Sequence, residues 1–340
     1  MIVTVTPSPA VDWTVATDSF ELDAVNRAST STREASGKGV NVSWALHRAG
    51  VPTVAVFPGG GQTGQFMDNA FTEAGMSFTR VETNREVRTN ITLVTPGHST
   101  KINEPGVGVS PGQLKELADT AVAATRGARA VLLCGSLPPT MSPAQFADLV
   151  TVLRRSSPQG TEIVVDSSGE PLTAALAAGP SLIKPNVHEL SELVGEDIRT
   201  IGDVIEAAQQ VRQAGATAVL ASLGADGAVY VDDENTLLAA GHDIPFVNSV
   251  GAGDALLAGF MAVEGDPGAR LHNAVLWASS AVAHSSTLFP VRPDFSDNVV
   301  VSDLATASAG RDAPLTEPSA PLVVTTTHTT PDTRERNHHG

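Results

Sequence analysis

Thr200-Ile-Gly-Asp-Val-Ile-Glu-Ala-Ala-Gln-Gln-Val-Arg-Gln-Ala-Gly-Ala-Thr-Ala-Val-Leu-Ala-Ser222 decides the fold class. Ile201, Val204, Ile205, Ala208 and Val211 recur at the spacing that gathers them on one face of a helix. Gly215 stands where a C-terminal glycine stop belongs. The run Thr217–Ser222 is then short and continuously apolar, as a strand buried on both faces requires. The same kind of run recurs at Ile2–Thr6, Thr53–Phe57, Ala130–Cys134, Glu162–Asp166 and Ser181–Lys184. Between them, Pro111–Ala128 carries Leu114, Leu117, Ala121 and Val122 on one helical face. This alternation predicts an α/β chain with a doubly wound α/β/α sheet.

Two regions break the alternation. Val11–Ser36 and Arg88–Glu104 are polar and poor in helix formers, and Asn90-Ile-Thr-Leu-Val94 alternates with period two. They predict strands outside the main sheet, forming a small β lid that would exclude water from a transfer reaction. Past Asp303 the composition turns to Thr, Ser, Pro and Ala. The sequence thus divides into a domain over 1–302, with lid segments at 11–36 and 88–104, and a tail over 303–340 expected to be disordered. His338 and His339, at the end of that tail, read as solvated residues, with metal binding the alternative.

At 340 residues, 41% of them hydrophobic, the chain can bury a large core, and with aromatics at 4% that core must be aliphatic. A formal charge of −16, from 37 acids against 21 bases, argues against nucleic acid as a partner. It also makes each lysine or arginine more telling where the ligand is an anion. Cys134 is the only cysteine, so an intrachain disulfide is excluded, and its place in an apolar strand predicts an inert core thiol. The start, Met-Ile-Val-Thr-Val-Thr-Pro, lacks the pattern of a signal peptide, and no apolar run approaches the ~20 residues of a membrane helix. The expectation is a cytoplasmic protein without a membrane partner.

The strongest chemical motif is Asn248-Ser-Val-Gly-Ala-Gly-Asp254, which leads into the apolar helix pattern of 255–261. Gly251, Ala252 and Gly253 let backbone amides approach a ligand, and a helix start adds partial positive charge. Together they would form an anion hole for a transferred phosphoryl group. Asp254, in the first turn, could take the proton of an attacking hydroxyl; it reads equally as a helix cap after a glycine turn.

Ala35-Ser-Gly-Lys-Gly-Val-Asn41 is a second glycine turn opening a helix. Lys38, between Gly37 and Gly39, would clamp an anion with Asn41 beside it; the alternative is a turn lysine in solvent. Gly59-Gly-Gly-Gln-Thr-Gly64 satisfies the dinucleotide fingerprint but lacks a clean second strand ending in a ribose-binding acid. Three further turns end predicted parallel strands: Gly135-Ser136, Lys184-Pro-Asn186-Val-His-Glu189 and Ser222-Leu-Gly224-Ala-Asp-Gly227. Asn186 and Glu189, at i and i+3, suit a Mg²⁺ ion that keeps several of its waters. Ligands bind at such strand ends in open α/β sheets.

As a set, and in this order, these segments resemble the ribokinase-like carbohydrate kinases, the PfkB family, over about residues 1 to 300. Val3-Thr-Val-Thr-Pro-Ser-Pro-Ala-Val-Asp12, Arg88-Thr-Asn-Ile-Thr92 and Thr100-Lys-Ile-Asn-Glu-Pro-Gly106 are similar to the sugar-phosphate branch, the bacterial 1-phosphofructokinases. The resemblance implies a ribokinase-like fold and transfer of the γ-phosphate of ATP, with Mg²⁺, to the 6-hydroxyl of fructose 1-phosphate. It implies that Asp254 is the base, that 251–253 form the anion hole, and that Asp12 holds sugar hydroxyls. Gly37, Lys38, Gly39, Asn41, Arg88, Asn90, Lys101, Asn103 and Ser136 would line the sugar-phosphate end. Lys184, Asn186, Ser222, Gly224 and Gly227 would face ATP, and Asn186 and Glu189 would organise Mg²⁺ through water. A homodimer joined through the lid strands is a further implication. Thr92 departs from the pattern, since many relatives carry Lys there. The segments Val165-Asp-Ser-Ser-Gly-Glu170 and Phe57-Pro-Gly-Gly-Gly61 are similar to minor-type 6-phosphofructokinases, so fructose 6-phosphate and tagatose 6-phosphate stand as alternative acceptors. A sensor that keeps the fold without turnover is the reading from another class.

Overall fold

The structure, a computed structural model, describes residues 1–284, 286, 288–305 and 310–319. The first half contains strands β1 (Ile2–Val5), β2 (Ala10–Ala16), β3 (Thr30–Ser36), β4 (Thr53–Gly60), β5 (Ser77–Glu86), β6 (Arg88–Thr95), β7 (His98–Asn103), β8 (Ala130–Cys134) and β9 (Glu162–Asp166). Helices α1 (Lys38–Arg48), α2 (Gly61–Ala74), α3 (Pro111–Ala124) and α4 (Pro143–Ser156) lie among them. The second half contributes α5 (Gly169–Leu176), β10 (Leu182–Ile183), α6 (Val187–Val194), α7 (Ile201–Gln213) and β11 (Ala218–Ser222). It closes with β12 (Ala228–Val231), β13 (Thr236–Gly241), α8 (Ala252–Ala262), α9 (Pro267–Val282) and β14 (Val299–Asp303).

The order in the large sheet is β14-β13-β12-β11-β10-β9-β8-β1-β4-β5. Every pair from β11 to β5 is parallel, and β12, β13 and β14 extend the sheet antiparallel. The chain leaves β1 for β4 on one side and returns to β8 on the other, so a switch point opens beside β1 at the strand ends. Strand β8 shows how both faces are filled. Val131 and Leu133 enter one core with Leu117, Phe146 and Ile205, while Ala130, Leu132 and Cys134 enter the other with Leu46, Leu256 and Phe260. That is the period-two alternation of a strand with helices on both sides, each fully buried Leu or Val being worth roughly 1.5–3 kcal/mol. On the second face α8 and α9 touch closely at Gly259, where a Cβ would stand 2.6 Å from the Asn273 carbonyl and 2.9 Å from Trp277.

A separate four-stranded sheet, β3-β2-β6-β7, is built from strands within the two polar regions. Strands β2 and β6 run parallel in its centre, pairing Asp12 with Asn90 and Thr14 with Thr92. Its end strand β7 is exposed along its length.

The expectation of disorder from 303 onward fails for 310–319. Leu315 is buried beside Ile198, Ile201 and Leu223, and the amides of Ile201 and Gly202 donate to the carbonyls of Ala313 and Arg311. One apolar anchor and a set of backbone bonds hold a segment whose composition is that of a loop. Residues 320–340, with His338 and His339, lie outside the described residues.

Candidate active site

The helices that open from the glycine turns at 37–39 and 251–253, α1 and α8, begin without a side-chain cap. Helix α1 follows Gly37, at φ +118, and α8 follows Gly251, at φ +78; neither start has a capping side chain. By contrast α3, α4, α6 and α7 each carry a full capping box. An uncapped start leaves first-turn amides without intrahelical partners and concentrates partial positive charge there. Gly37 is also sterically required, because a Cβ would meet Thr6 Cγ2 at 3.0 Å and Pro9 Cα at 3.1 Å.

A polar chain links the small sheet to the start of α8. Asn90 Nδ2 donates to Asp12 Oδ1 at 3.0 Å, and the Ser36 hydroxyl donates to Asp12 Oδ2 at 2.6 Å. That hydroxyl also lies 3.1 Å from Asn41 Oδ1, and Asn41 Nδ2 donates to Asp254 Oδ2 at 2.7 Å. Asp254, Asn41, Asp12 and Asn90, four residues expected at the site, are thereby brought together, with Ser36 as the unforeseen link.

Beside them lies a charged trio. Asp166, fully buried at the end of β9, holds Lys38 Nζ at 2.9 Å on one oxygen and Lys184 Nζ at 3.4 Å on the other. Lys38 is therefore neither a loose anion clamp nor a turn lysine in solvent; it is tied to Asp166 and reaches within 4.0 Å of Glu189 Oε1. Burial pulls its pKa down, but Asp166 and Glu189 outweigh that and hold it above the usual lysine value. The Lys184 ammonium stands 3.4 Å from where a Cβ on Gly253 would be, so a cation faces the start of α8. Two ammonium groups thus share one buried carboxylate beside the start of α8.

The same surroundings act on Asp254. Burial first, and the negative charge of Asp166 second, push its carboxyl up to about 6, against the opposing pull of Asn41 and the two lysines. A carboxylate with that pKa is ionised at neutral pH yet basic enough to accept a proton. Cys134, raised well above its ordinary value by burial and then by Asp166 and Asp254, is an unreactive thiol in the wall behind.

Arg88 starts β6 and reaches Ser136 Oγ at 3.2 Å, joining two more expected residues. Its Nε is buried with no hydrogen-bond partner, as is Asn90 Oδ1. Burial lowers the arginine's pKa, opposed by Asp12. Lys101 and Asn103 are not gathered in. They sit on exposed β7, across from Thr92 and Asn90 in register, and Lys101 makes no ion pair among the described residues.

Asn186 and Glu189 turn out to be a capping box: Asn186 Oδ1 accepts from Glu189 N at 2.8 Å, and Glu189 Oε2 accepts from Asn186 N at 2.9 Å. Their spacing has a structural cause, and only Glu189 Oε1 remains for other work. Asn186 forms a bridge with Ser222, which opens the turn through Gly224 (φ +60) and Gly227 (φ +92). Among the described residues no group of three His, Cys, Asp or Glu could hold a metal outright, and no helix is long and apolar enough to cross a membrane.

The glycine fingerprint at 59–64 has another occupant. Glu86 Oε1 accepts from Gln62 N at 2.9 Å, and its Oε2 accepts from Thr63 N at 2.7 Å and Thr63 Oγ1 at 2.6 Å. The chain's own carboxylate fills the place a pyrophosphate would take at the start of α2.

Asp166, Ser36 and Glu86 were missed as site-shaping residues. For Asp166 a signal existed, a carboxylate closing an otherwise apolar strand. Ser36 and Glu86 gain their roles from partners 24 residues away, across strand pairing that no local pattern fixes.

Residues 5–287 match the family described as pfkB family carbohydrate kinase. The chain belongs to this family. It is 35% identical over 263 residues to the 1-phosphofructokinase of Rhodobacter capsulatus, covering 76% of this chain and 82% of that one. It is 35% identical over 303 residues to the 1-phosphofructokinase of Haloferax volcanii, covering 88% and 96%. The crystal structure of phosphofructokinase-2 from Escherichia coli in complex with fructose-6-phosphate superposes with a TM-score of 0.80 at 28% identity, covering 87% and 97%. As a pfkB-family carbohydrate kinase, the chain carries its glycine turns and the buried charge trio at the strand ends of a ribokinase-like sheet.

Proposed function

We propose that this carbohydrate kinase transfers the γ-phosphoryl group of ATP to a hydroxyl of fructose 1-phosphate, giving fructose 1,6-bisphosphate and ADP. The observation that carries the reading is Asp254. It stands in the first turn of an uncapped helix, with a raised pKa, beside the Lys184 ammonium. Asn41 occupies Oδ2, which leaves Oδ1 for the acceptor hydroxyl. As that oxygen bonds to phosphorus, its proton passes to Asp254 Oδ1 and the bond from phosphorus to the β-phosphate oxygen breaks. The amides at 251–253, with Lys184, take up the charge that spreads over the transferring group.

At the acceptor end, Asp12 and Asn90 present hydrogen-bonding groups to sugar hydroxyls. Arg88, with an unpaired buried Nε, supports an acceptor that already carries a phosphate. Ser222, Gly224 and Gly227 form the nucleotide side. For Mg²⁺, the donor set fits an ion held through its own waters rather than caged, since the capping box leaves one oxygen, Glu189 Oε1. Bound with ATP there, the ion would neutralise β- and γ-phosphate oxygens.

Steady-state kinetics over fructose 1-phosphate, fructose 6-phosphate and tagatose 6-phosphate, with ADP release as the readout, test the assignment. Fructose 1-phosphate should give the highest kcat/KM. A higher value for fructose 6-phosphate would transfer the assignment to the reaction of the phosphofructokinase-2 type, which the 0.80 superposition favours as the second reading. We also propose a homodimer through the small sheet, since in the loop joining β2 to β3 Phe20, Leu22 and Val25 are exposed by 51%, 84% and 82%. Sedimentation of the full chain at the mass of a monomer would end that proposal.

A further inference from the structure

Residues 310–319 lie C-terminal to residues 5–287, the stretch matched to the family. They return to the body and stop against the turn after β11. Two anchors flank the contact. Leu315 is buried in the core and its amide donates to Arg199 O at 2.8 Å. Ser319 makes three bonds with Ile198: its amide and hydroxyl donate to Ile198 O at 3.0 and 3.3 Å, and its Oγ accepts from the Ile198 amide at 2.8 Å. Between the anchors, Thr316 clasps Asp226. Its amide donates to Oδ2 at 2.7 Å and its hydroxyl to Oδ1 at 2.6 Å, occupying both carboxylate oxygens. The neighbouring Glu317 carboxylate lies 3.4 Å from where a Cβ on Gly224 would be.

The turn so gripped is Gly224–Gly227, two left-handed glycines around Ala225 and Asp226. Glycine turns are conformationally loose and costly to order. The turn's own restraints are few: Leu223 N to Gly227 O at 2.9 Å, Asp226 N to Leu223 O at 3.2 Å, and Gly227 N to Gly224 O at 3.3 Å. An outside grip on both oxygens of Asp226 adds two bonds to these internal ones and ties the turn to a distant part of the chain.

We infer that Thr316 and Asp226 are positioning residues for the nucleotide, the C-terminal strap holding the Gly224–Gly227 turn in the shape that receives ATP. This rests on the reading of that turn as the nucleotide side. Thr316 is exposed, and the strap's attachment to the core belongs to Leu315, Ser319 and the amides of α7. Loosening the clasp should thus be felt in nucleotide binding rather than in folding.

The test compares full-length Thr316→Val, Thr316→Glu and Thr316→Ser with the unaltered chain in KM for ATP, KM for the acceptor, kcat and melting temperature. Thr316→Val removes one donor and should raise the ATP KM about two- to tenfold. Thr316→Glu sets a second carboxylate against Asp226 and should raise it further. Thr316→Ser keeps the hydroxyl and should restore the original value. Throughout, kcat and acceptor KM should stay within about twofold and the melting temperature within about 2 °C. An unchanged ATP KM in both Val and Glu variants, with the unaltered chain turning over ATP, overturns the strap's role alone. A parallel rise in both KM values with a falling melting temperature also overturns it, by reducing the contact to folding. If the unaltered chain does not use ATP, the parent reading fails and takes this one with it.

Discussion

The chain has two glycine-rich helix starts that read almost alike, Gly59–Gly64 before and into α2 and Gly251–Gly253 into α8. Both follow the glycine-turn-then-helix grammar of an anion site. In one, Glu86 accepts three hydrogen bonds from Gln62 and Thr63 and satisfies the first-turn amides. In the other, no side chain caps the helix, and the Lys184 ammonium stands 3.4 Å from where a Cβ on Gly253 would be. A glycine pattern thus announces an amide cradle but not whether it is vacant. Whether it is filled depends on a residue elsewhere in the chain, and here that residue separates a turn closed by a carboxylate from one with no side-chain cap.

The sharpest way to break the contrast is at Asp254. Asp254→Ala should lower kcat by about 10²–10⁴ while the acceptor still binds, because general-base assistance is lost without removing the cradle. Turnover near the original rate would show that this aspartate is only a helix-start residue and that the two turns differ less than their surroundings suggest. Lys184→Met should follow with a loss of about 10²–10³ in kcat, the range for removing a preorganised donor to a developing anion. Arg80→Met, whose guanidinium approaches Gly59 O and pairs with Asp68 beside the other turn, should leave kcat unchanged.

Legibility in the sequence follows the range of each interaction. Strands such as Ala130–Cys134 and helices such as α7 are local statements, set by period and by caps within a few residues, and they appear as read. The turns at 184–189, 222–227 and 248–254 are legible for the same reason, since each carries its own turn chemistry. Asp166 reads locally as no more than the end of a strand, because its meaning comes from Lys38 and Lys184, 128 and 18 positions away. The capping box of Asn186 and Glu189 was legible as spacing but read first as metal chemistry, since i,i+3 geometry serves both. The strap at 310–319 was illegible because one buried leucine among Pro, Thr and Ser outlines no periodic element.

The two turns should also part in their response to pH. The proposed base works as the carboxylate, so kcat/KM should rise with pH and level off above an acid limb at about 6. Asn41→Leu deletes the hydrogen bond that stabilises the ionised form and should move that limb to higher pH. An acid limb that stays in place would mean that another group sets it. Glu86 shifts the other way: its hydrogen bonds to Thr63, and then to Gln62, hold its pKa below the usual glutamate value. A depressed carboxylate contributes stability above its unfolded pKa, and that contribution is lost as pH falls through the folded one. The Glu86 effect therefore appears as acid-weakened stability, and the Asp254 effect as acid-weakened rate.

Glu86 itself gives the smallest expected effect and the most direct test of what separates the two starts. Glu86→Ala leaves the first-turn amides of α2 without an acceptor, a loss comparable to removing a helix cap, about 0.5–2 kcal/mol. Chemical unfolding should show the midpoint falling at constant slope, since nothing in the core changes. Kinetic constants for ATP and the acceptor should hold, because no residue in the polar chain from Asn90 to Asp254 touches Glu86. The vacated cradle should then behave as glycine-rich helix starts do when free, so added sulfate should recover part of the lost stability in Glu86→Ala and none in the unaltered chain. If sulfate stabilises both alike, the carboxylate is not what closes this turn, and its difference from Gly251–Gly253 must lie in the backbone shape.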